Sequence, residues 1–354
     1  MSLNFFIFFA YYFIILFSII GYGYFLLSFE KNNKNHLNFG YIGILGLFFL
    51  IIYSYLSNIF IPHSKNHNIV VIIFGLLSFL YFIIKYYKKK FFKKNFIFLL
   101  SVFFITFFSL LIFKNHDDFL YYHFSYTYNL TQNDLDFGIG KFNHGFRTPS
   151  SIFYLNSLFY LPYIKYYSFN IGATLIFGLS NLILIFKLKD DLNKKRYDYI
   201  FLLTLLSLLF INVFFYRISE HGTDRSAQIL ILLLFIEVLS LFRNQVILSN
   251  FFSKIFILLG LIISLKAFYV LYLLTLVPIL FYLKKQNINK LIKNFLKNFY
   301  FYLFIFVGFF LCLVNIFNTG CLIYPVEFTC FTKFDWSLKG EAKIMNDWYE
   351  LWAK

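Results

Sequence analysis

Long apolar runs broken by short polar ones set the rhythm of this chain. A membrane-crossing helix needs about 20 apolar residues, and runs of that kind fall at 3–28, 39–61, 69–84, 95–113, 168–186, 199–216, 227–242 and 298–317, with a longer one at 255–283. The connections carry the orientation. Lys85, Lys88, Lys89, Lys90, Lys93 and Lys94 form one basic loop, Lys187, Lys189, Lys194, Lys195 and Arg196 a second, and Lys284, Lys285, Lys290, Lys293 and Lys297 a third. The positive-inside rule places all three in the cytoplasm.

Parity then decides two harder segments. An even number of crossings must separate the first two basic loops, and 95–113 with 168–186 supply them. The apolar piece 150–164 therefore does not cross; it is short, follows Arg147, Thr148 and Pro149, and contains Asn156, Pro162 and Lys165, which predicts a re-entrant or interfacial helix. The run 255–283 must go out and return, so it is predicted as two shortened helices turning at Lys266, with one long tilted helix as the alternative. The expected fold class is an all-α integral membrane protein of about ten transmembrane helices with a re-entrant or interfacial helix in its external loop. Residues 1–94 form N-terminal transmembrane helices, 95–317 a transmembrane core with external loop 114–148, and 318–354 an external tail.

Composition agrees. Of 354 residues, 60% are hydrophobic and only 14% charged, more apolar surface than a soluble domain can bury. No Lys or Arg precedes the run 3–27 and no small-residue cleavage site follows it, so it reads as a retained span and not as a signal peptide. The net charge of +16 sits in the short basic loops, where it faces lipid headgroups; nucleic acid is not an expected partner, and membrane lipid is. The 56 Phe and 29 Tyr read as the codon usage of an AT-rich bacterial genome. The expected location is the bacterial inner (cytoplasmic) membrane, with the active face periplasmic or extracellular.

Three segments then lie outside: 114–148, 217–226 and the tail. The first contains Asp117-Asp118, flanked by His116 and His123. Adjacent carboxylates at a span end repel each other and lose water, which raises one pKa toward a value useful for proton transfer. They equally suit a divalent cation such as Mg2+ or Mn2+, or a pair of solvated acids ending a helix. Further on, Gly138 and Gly140 allow close backbone approach, and Lys141, His144 and Arg147 have the chemistry to bind phosphate, with a plain loop as the alternative. In the second segment Arg217, Glu220, His221, Asp224 and Arg225 crowd between two spans; Arg217, Asp224 and Arg225 must pair with one another or meet an anionic ligand. Lys266 lies in an apolar stretch, where a charge is functional unless it snorkels to the interface. In the tail, Cys321 and Cys330 would face an oxidising compartment and form a disulfide, whereas Cys312 is an inert thiol inside a span. The stretch 342–352 is amphipathic and predicts an interfacial helix with Trp336, Trp348 and Trp352 at headgroup level. His and Cys spacing offers no zinc pattern.

Taken together, several of these pieces resemble GT-C-type membrane glycosyltransferases, and more closely a bacterial branch of GT-C-like polytopic proteins. The matching pieces are Asp117-Asp118 with Tyr122-His123, Gly145-Phe146-Arg147 followed by Asn156 and Ser157, the segment 217–225, Lys266 in its hairpin, and Tyr324-Pro325 with Asp335-Trp336. The resemblance implies transfer of a sugar from a polyprenyl-phosphate donor to a lipid, glycan or protein acceptor outside the cytoplasm. It makes Asp117 or Asp118 the general base or metal-organising acid. Arg147, Arg217, Arg225 and Lys266 would hold the donor phosphate, with His123, His221, Asp224 and Tyr324 completing the substrate site. The competing readings are a surface-polysaccharide polymerase or ligase, and a non-enzymatic flippase for a lipid-linked sugar, which should show paired repeats and charges at mid-membrane.

Overall fold

The computed structural model describes residues 2–29, 38–112, 118–215, 222–243, 248–284 and 295–353. The apolar runs form helices: α1 (Ser2–Ser28), α2 (Phe39–Asn58), α3 (Lys65–Tyr86) and α4 (Lys90–Leu111) come first. A π-helical turn (Phe119–His123), α5 (Phe124–Gln132) and α6 (Ser151–Ser157) follow, and then α7 (Ile171–Asn193), α8 (Tyr199–Phe214), α9 (Asp224–Arg243) and α10 (Leu248–Leu265). A 3-10 segment (Ala267–Thr275) leads into α11 (Leu276–Lys284), and α12 (Phe299–Thr319) and α13 (Lys339–Ala353) complete the order. Seven helices are long and apolar enough to cross a membrane, and three shorter apolar ones cover 199–214, 250–265 and 267–283.

Polar residues set several boundaries. Asn38 caps α2 by accepting from Tyr41 N, Asp198 caps α8 by accepting from Ile200 N and Phe201 N, and Asn298 caps α12 through Tyr300 N. Gly320, at φ 73°, ends α12 in the left-handed conformation that glycine adopts without strain.

The helices alternate in direction, so the bundle has a basic end and a loop end. Phe5 near the start of α1 meets Phe107 near the end of α4, while Tyr24 packs on Phe82 and Tyr86 at the other end. Lys85–Lys94 and Lys187–Arg196 fall together at the basic end. The run 255–283 breaks at Lys266, whose backbone is extended (φ −156°, ψ 122°). Along α9, Lys254 pairs with Glu237 and Lys266 with Asp224, so α10 runs against it. Beyond the break Tyr272 meets Phe235 and Tyr282 meets Phe242, so the second arm runs alongside α9 in its own direction. The segment is a hairpin.

Small residues let the first three helices approach closely. A Cβ on Gly21 would lie 1.9 Å from Gly75 O, and one on Gly46 the same distance from Ile19 O, so backbone packs on backbone as in small-residue membrane interfaces. One apolar core runs from Tyr12 to Val314, and the tail adds a small cluster of Cys321, Tyr324, Cys330, Leu338 and Ala342.

The segment 150–164 contains the short helix α6, all seven residues of which are buried, packed among α2, α5, α7 and α10. Its polar groups are met internally: Ser151 bonds Ser264, Asn156 accepts from Gly172 N, and Ser157 bonds His63. Trp336 is likewise a packing residue, stacked on Phe334 and against Phe137, with Nε1 donating to Ile316 O. Its indole hydrogen bond is therefore made within the protein. The helix expected at 342–352 is α13, with Trp348 exposed.

Candidate functional site

The loop end is assembled around the π-helical turn, a geometry frequent at functional sites. Asp118 precedes the turn, and Tyr122 and His123 end it. The loop 143–147 docks onto it because residue 145 is glycine: any Cβ there would sit 2.1 Å from Tyr122 Cγ. Asn143 fastens the contact, donating to Tyr121 O at 3.0 Å and accepting from Gly145 N at 2.8 Å.

That docking aims Arg147 at the tail. Its Nε donates to Gly140 O at 3.1 Å, Nη1 to the Tyr324 hydroxyl at 2.9 Å, and Nη2 to the Glu341 carboxylate of α13, with the Tyr324 ring 5.6 Å from the guanidinium. Lys141 donates to Asp335 O at 2.6 Å, and Asn318 ties α12 to Tyr126 and Phe146 O. Cys321 and Cys330 are joined in a disulfide that closes the loop presenting Tyr324. Burial, with the Arg147 cation beside it, holds the His144 imidazole below its ordinary pKa, and burial pushes the Tyr324 phenol up against the opposing pull of Arg147.

A second group comes from α9 and the hairpin turn. Lys266 Nζ lies 2.6 Å from Asp224 Oδ1, and the Tyr269 hydroxyl is 3.5 Å from the same oxygen. Arg225 is turned away, donating to Phe214 O at 2.7 Å with its guanidinium over Phe215. The two groups meet at Tyr122, whose phenol is pushed up by burial and then by the carboxylates of Asp118 and Asp224.

Two spaces open here. A polar pocket lined by His123, Thr127, Asn156, Asn170 and Thr223 has a volume of about 20 Å³, room for about one water. Beside it runs an apolar groove of about 870 Å³ between the start of α1, the end of α4, the π-helical turn and residues 163–167. Phe119 and Asn170 belong to both walls, so groove and pocket are contiguous at the residue that follows Asp118.

The structure thus brings Asp118, His123, Asp224, Lys266, Arg147 and Tyr324 to the loop end, with the Asp224–Lys266 pair and the loop that carries Arg147 both reaching Tyr122. Asp117, Arg217 and His221 lie outside the described residues. Asp224 pairs with Lys266 across the fold and not with Arg225, its neighbour in sequence, because the hairpin turn delivers the Lys266 ammonium to the first residue of α9. Among the described residues no three His, Cys, Asp or Glu side chains converge on a metal position, and Asp118 is the described member of its acidic pair.

Sequence reasoning missed Glu341, which no motif marks, and Glu237, which a signal did mark: it is the one carboxylate in the apolar run 227–242. Glu237 is buried and accepts from Lys187 at 2.8 Å, Tyr41 at 2.8 Å and Lys254 at 3.1 Å. His63 was also missed. It is fully buried in the short loop between α2 and α3.

Residues 5–352 match the model of a family described as a domain of unknown function, DUF8201. No curated protein and no solved structure matches the chain. Since the match runs through every described helix from α1 to α13, the chain belongs to the DUF8201 family.

Proposed function

We propose that this protein crosses the bacterial inner membrane ten times and transfers a sugar from a polyprenyl-phosphate donor to a lipid, glycan or protein acceptor at its loop end. Seven long apolar helices, together with α8, α10 and the 267–283 arm, supply ten crossings in alternating directions. The basic end faces the cytoplasm by the positive-inside rule, and the loop end faces the periplasm or exterior.

The observation that carries the reading is the groove. A cleft of about 870 Å³ walled by Phe5, Phe8, Leu110 and Leu111 suits a hydrocarbon chain, and it ends at Phe119, next to Asp118 and the polar pocket. A lipid-linked sugar laid in it places tail in the groove and headgroup among Asp118, His123, Lys266 and Arg147. Asp118 is then the general base that takes the acceptor proton, and the two cations hold the leaving phosphate. Each cation now holds a carboxylate, Glu341 for Arg147 and Asp224 for Lys266, in the position a phosphate would take. If the reaction uses Mg2+ or Mn2+, Asp118 with Asp117 would hold it, screening the charge on the leaving phosphate.

A second reading, a flippase for a lipid-linked sugar, draws support from the Lys187–Glu237–Lys254 cluster, which puts charge inside helices α7, α9 and α10. A polymerase or ligase shares the donor and differs in the acceptor.

The test is transfer of labelled sugar from polyprenyl-phosphate donors in proteoliposomes, comparing the intact chain with Asp118→Asn. The expected result is transfer by the intact chain and a loss of about 100-fold or more in the variant, the contribution of a general base. Absence of transfer from every donor, with sugar-lipid moving across the bilayer, replaces the enzyme by the flippase.

A further inference from the structure

The basic end contains a cavity that the proposed sugar transfer does not use. It has a volume of about 570 Å³ and lies among the ends of α2, α4, α7, α9 and α10. Six cationic side chains line it, namely Lys187, Lys189, Lys194, Arg196, Arg243 and Lys254, with the carboxylates of Asp190, Asp191 and Glu237.

Most of these charges are already matched. Lys187 and Lys254 share Glu237, and Arg243 holds both Asp191 and Asp198, so the surplus cation of the first group offsets the surplus carboxylate of the second. Lys194 pairs with Asp190. Lys189 and Arg196 remain, and neither forms an ion pair with a described residue. The Lys189 ammonium instead rests over the rings of Phe98 and Phe186, at 5.2 and 5.8 Å.

A second, independent observation points into the same space. Asn95 on α4 is only 3% exposed and lines the cavity, yet its carboxamide makes no hydrogen bond to any described residue. The amide opens onto the cavity and offers two N–H donors to a ligand. Two unmatched cations and an unspent amide donor are the requirements of a phosphate group.

We propose that this cavity binds the phosphate of an anionic lipid. Lys189, Arg196 and Asn95 contact the phosphate oxygens, and Ile183, Phe186 and Phe251 on the same wall meet the glycerol and first methylenes. Basic pockets between helix ends at the membrane surface recognise lipid headgroups in this way. The site lies at the opposite end of the bundle from the loop end and does not rest on the sugar transfer proposed there.

The experiment uses the full chain in detergent micelles and a phosphatidylglycerol with a fluorescent tail, read by anisotropy, with the same tail on phosphatidylcholine as comparison. Phosphatidylglycerol should bind at least about tenfold more tightly, and the double variant Lys189→Gln/Arg196→Gln and the single variant Asn95→Leu should each lose most of that preference. Lys189→Arg should keep it, and unchanged thermal unfolding of the variants separates lost binding from lost fold. Competition by millimolar inorganic phosphate identifies the source: resistance assigns the site to the lipid, and displacement assigns the same phosphate contacts to a free anion. Equal binding of the two lipids, or wild-type binding by folded variants, overturns the proposal.

Discussion

Lowering the pH from 7.5 to 5 should weaken the fold by about 2 kcal/mol through one side chain, His63. The imidazole is fully buried between α2 and α3, with Nε2 at 2.9 Å from Ser57 Oγ and Nδ1 at 2.6 Å from Ser157 Oγ. Its ring stacks on His67, centroids 5.3 Å apart, and Asn68 donates to its carbonyl and to those of Ser157 and Tyr160. None of these neighbours is a carboxylate that would welcome a proton. Burial, with His67 adding to it, holds the His63 pKa down at about 3, against about 6.5 in an open chain. The folded value lies below the unfolded one, so the unfolded chain takes up the proton first. Stability is complete above pH 6.5, falls by about 1.4 kcal/mol per pH unit below it, and stops falling near the folded pKa. Ser157 is the last residue of α6, whose Ile152, Phe153 and Asn156 line the polar pocket, so protonation should loosen the pocket wall before the bundle fails. The assay is unfolding in detergent over that pH range for the wild type and for His63→Gln, which keeps a hydrogen-bonding side chain and cannot titrate. His67 titrates in both proteins, so the difference between the two curves isolates His63. Parallel curves, or a wild type equally stable at both ends of the range, would refute the reasoning.

Two further perturbations probe the scaffold. Gly46→Ala should destabilise the bundle by about 2–3 kcal/mol in the same unfolding assay, because its new methyl meets the backbone carbonyl of Ile19 and not a side chain that can swing aside. Gly308→Ala, with nothing within 4 Å, should stay within about 0.5 kcal/mol of wild type, and equal effects of the two would show that the α1–α2 contact is not close. Replacing both Cys321 and Cys330 by Ser should cost the tail about 3 kcal/mol through the freed loop. Limited proteolysis should then cut the 321–330 loop in the variant and leave the wild type intact, and a tail equally resistant in both would count against the disulfide as its clasp.

Helix positions were legible because a run of apolar residues long enough to cross a bilayer has few other fates, and lipid rewards it wherever it falls in the chain. Charge parity added what the runs alone do not say. It kept 150–164 from crossing, and it turned 255–283 at Lys266, where the structure breaks. Parity says nothing of depth, however. An apolar side chain reads the same whether it faces lipid or protein, so α6 had two possible homes until Ser151, Asn156 and Ser157 were seen to be satisfied inside the bundle. The candidate site was legible as a set of side chains on one face and illegible as a set of pairs. Arg147 and Glu341 are 194 residues apart, and Lys266 and Asp224 are 42 apart; such partners are chosen by helix packing, which leaves no local mark.

Those pairings separate the two ends of the bundle in kind. At the loop end Arg147 and Lys266 each already hold a carboxylate, so an incoming phosphate must displace Glu341 or Asp224 before it gains either cation. Glu341 stands in the first turn of α13, whose Leu338 and Ala342 neighbours pack on the disulfide loop, so displacement at Arg147 disturbs the contacts that seat the tail. In the proposed transfer, binding there would be exchange, which suits a group that arrives, reacts and leaves. At the basic end no described carboxylate pairs with Lys189 or Arg196, and no described group bonds the Asn95 amide, so the proposed lipid phosphate would fill a deficit without displacing an ion pair. A ligand held in that way is a resident one, and its removal should lower stability even where it leaves the chemistry of the loop end untouched.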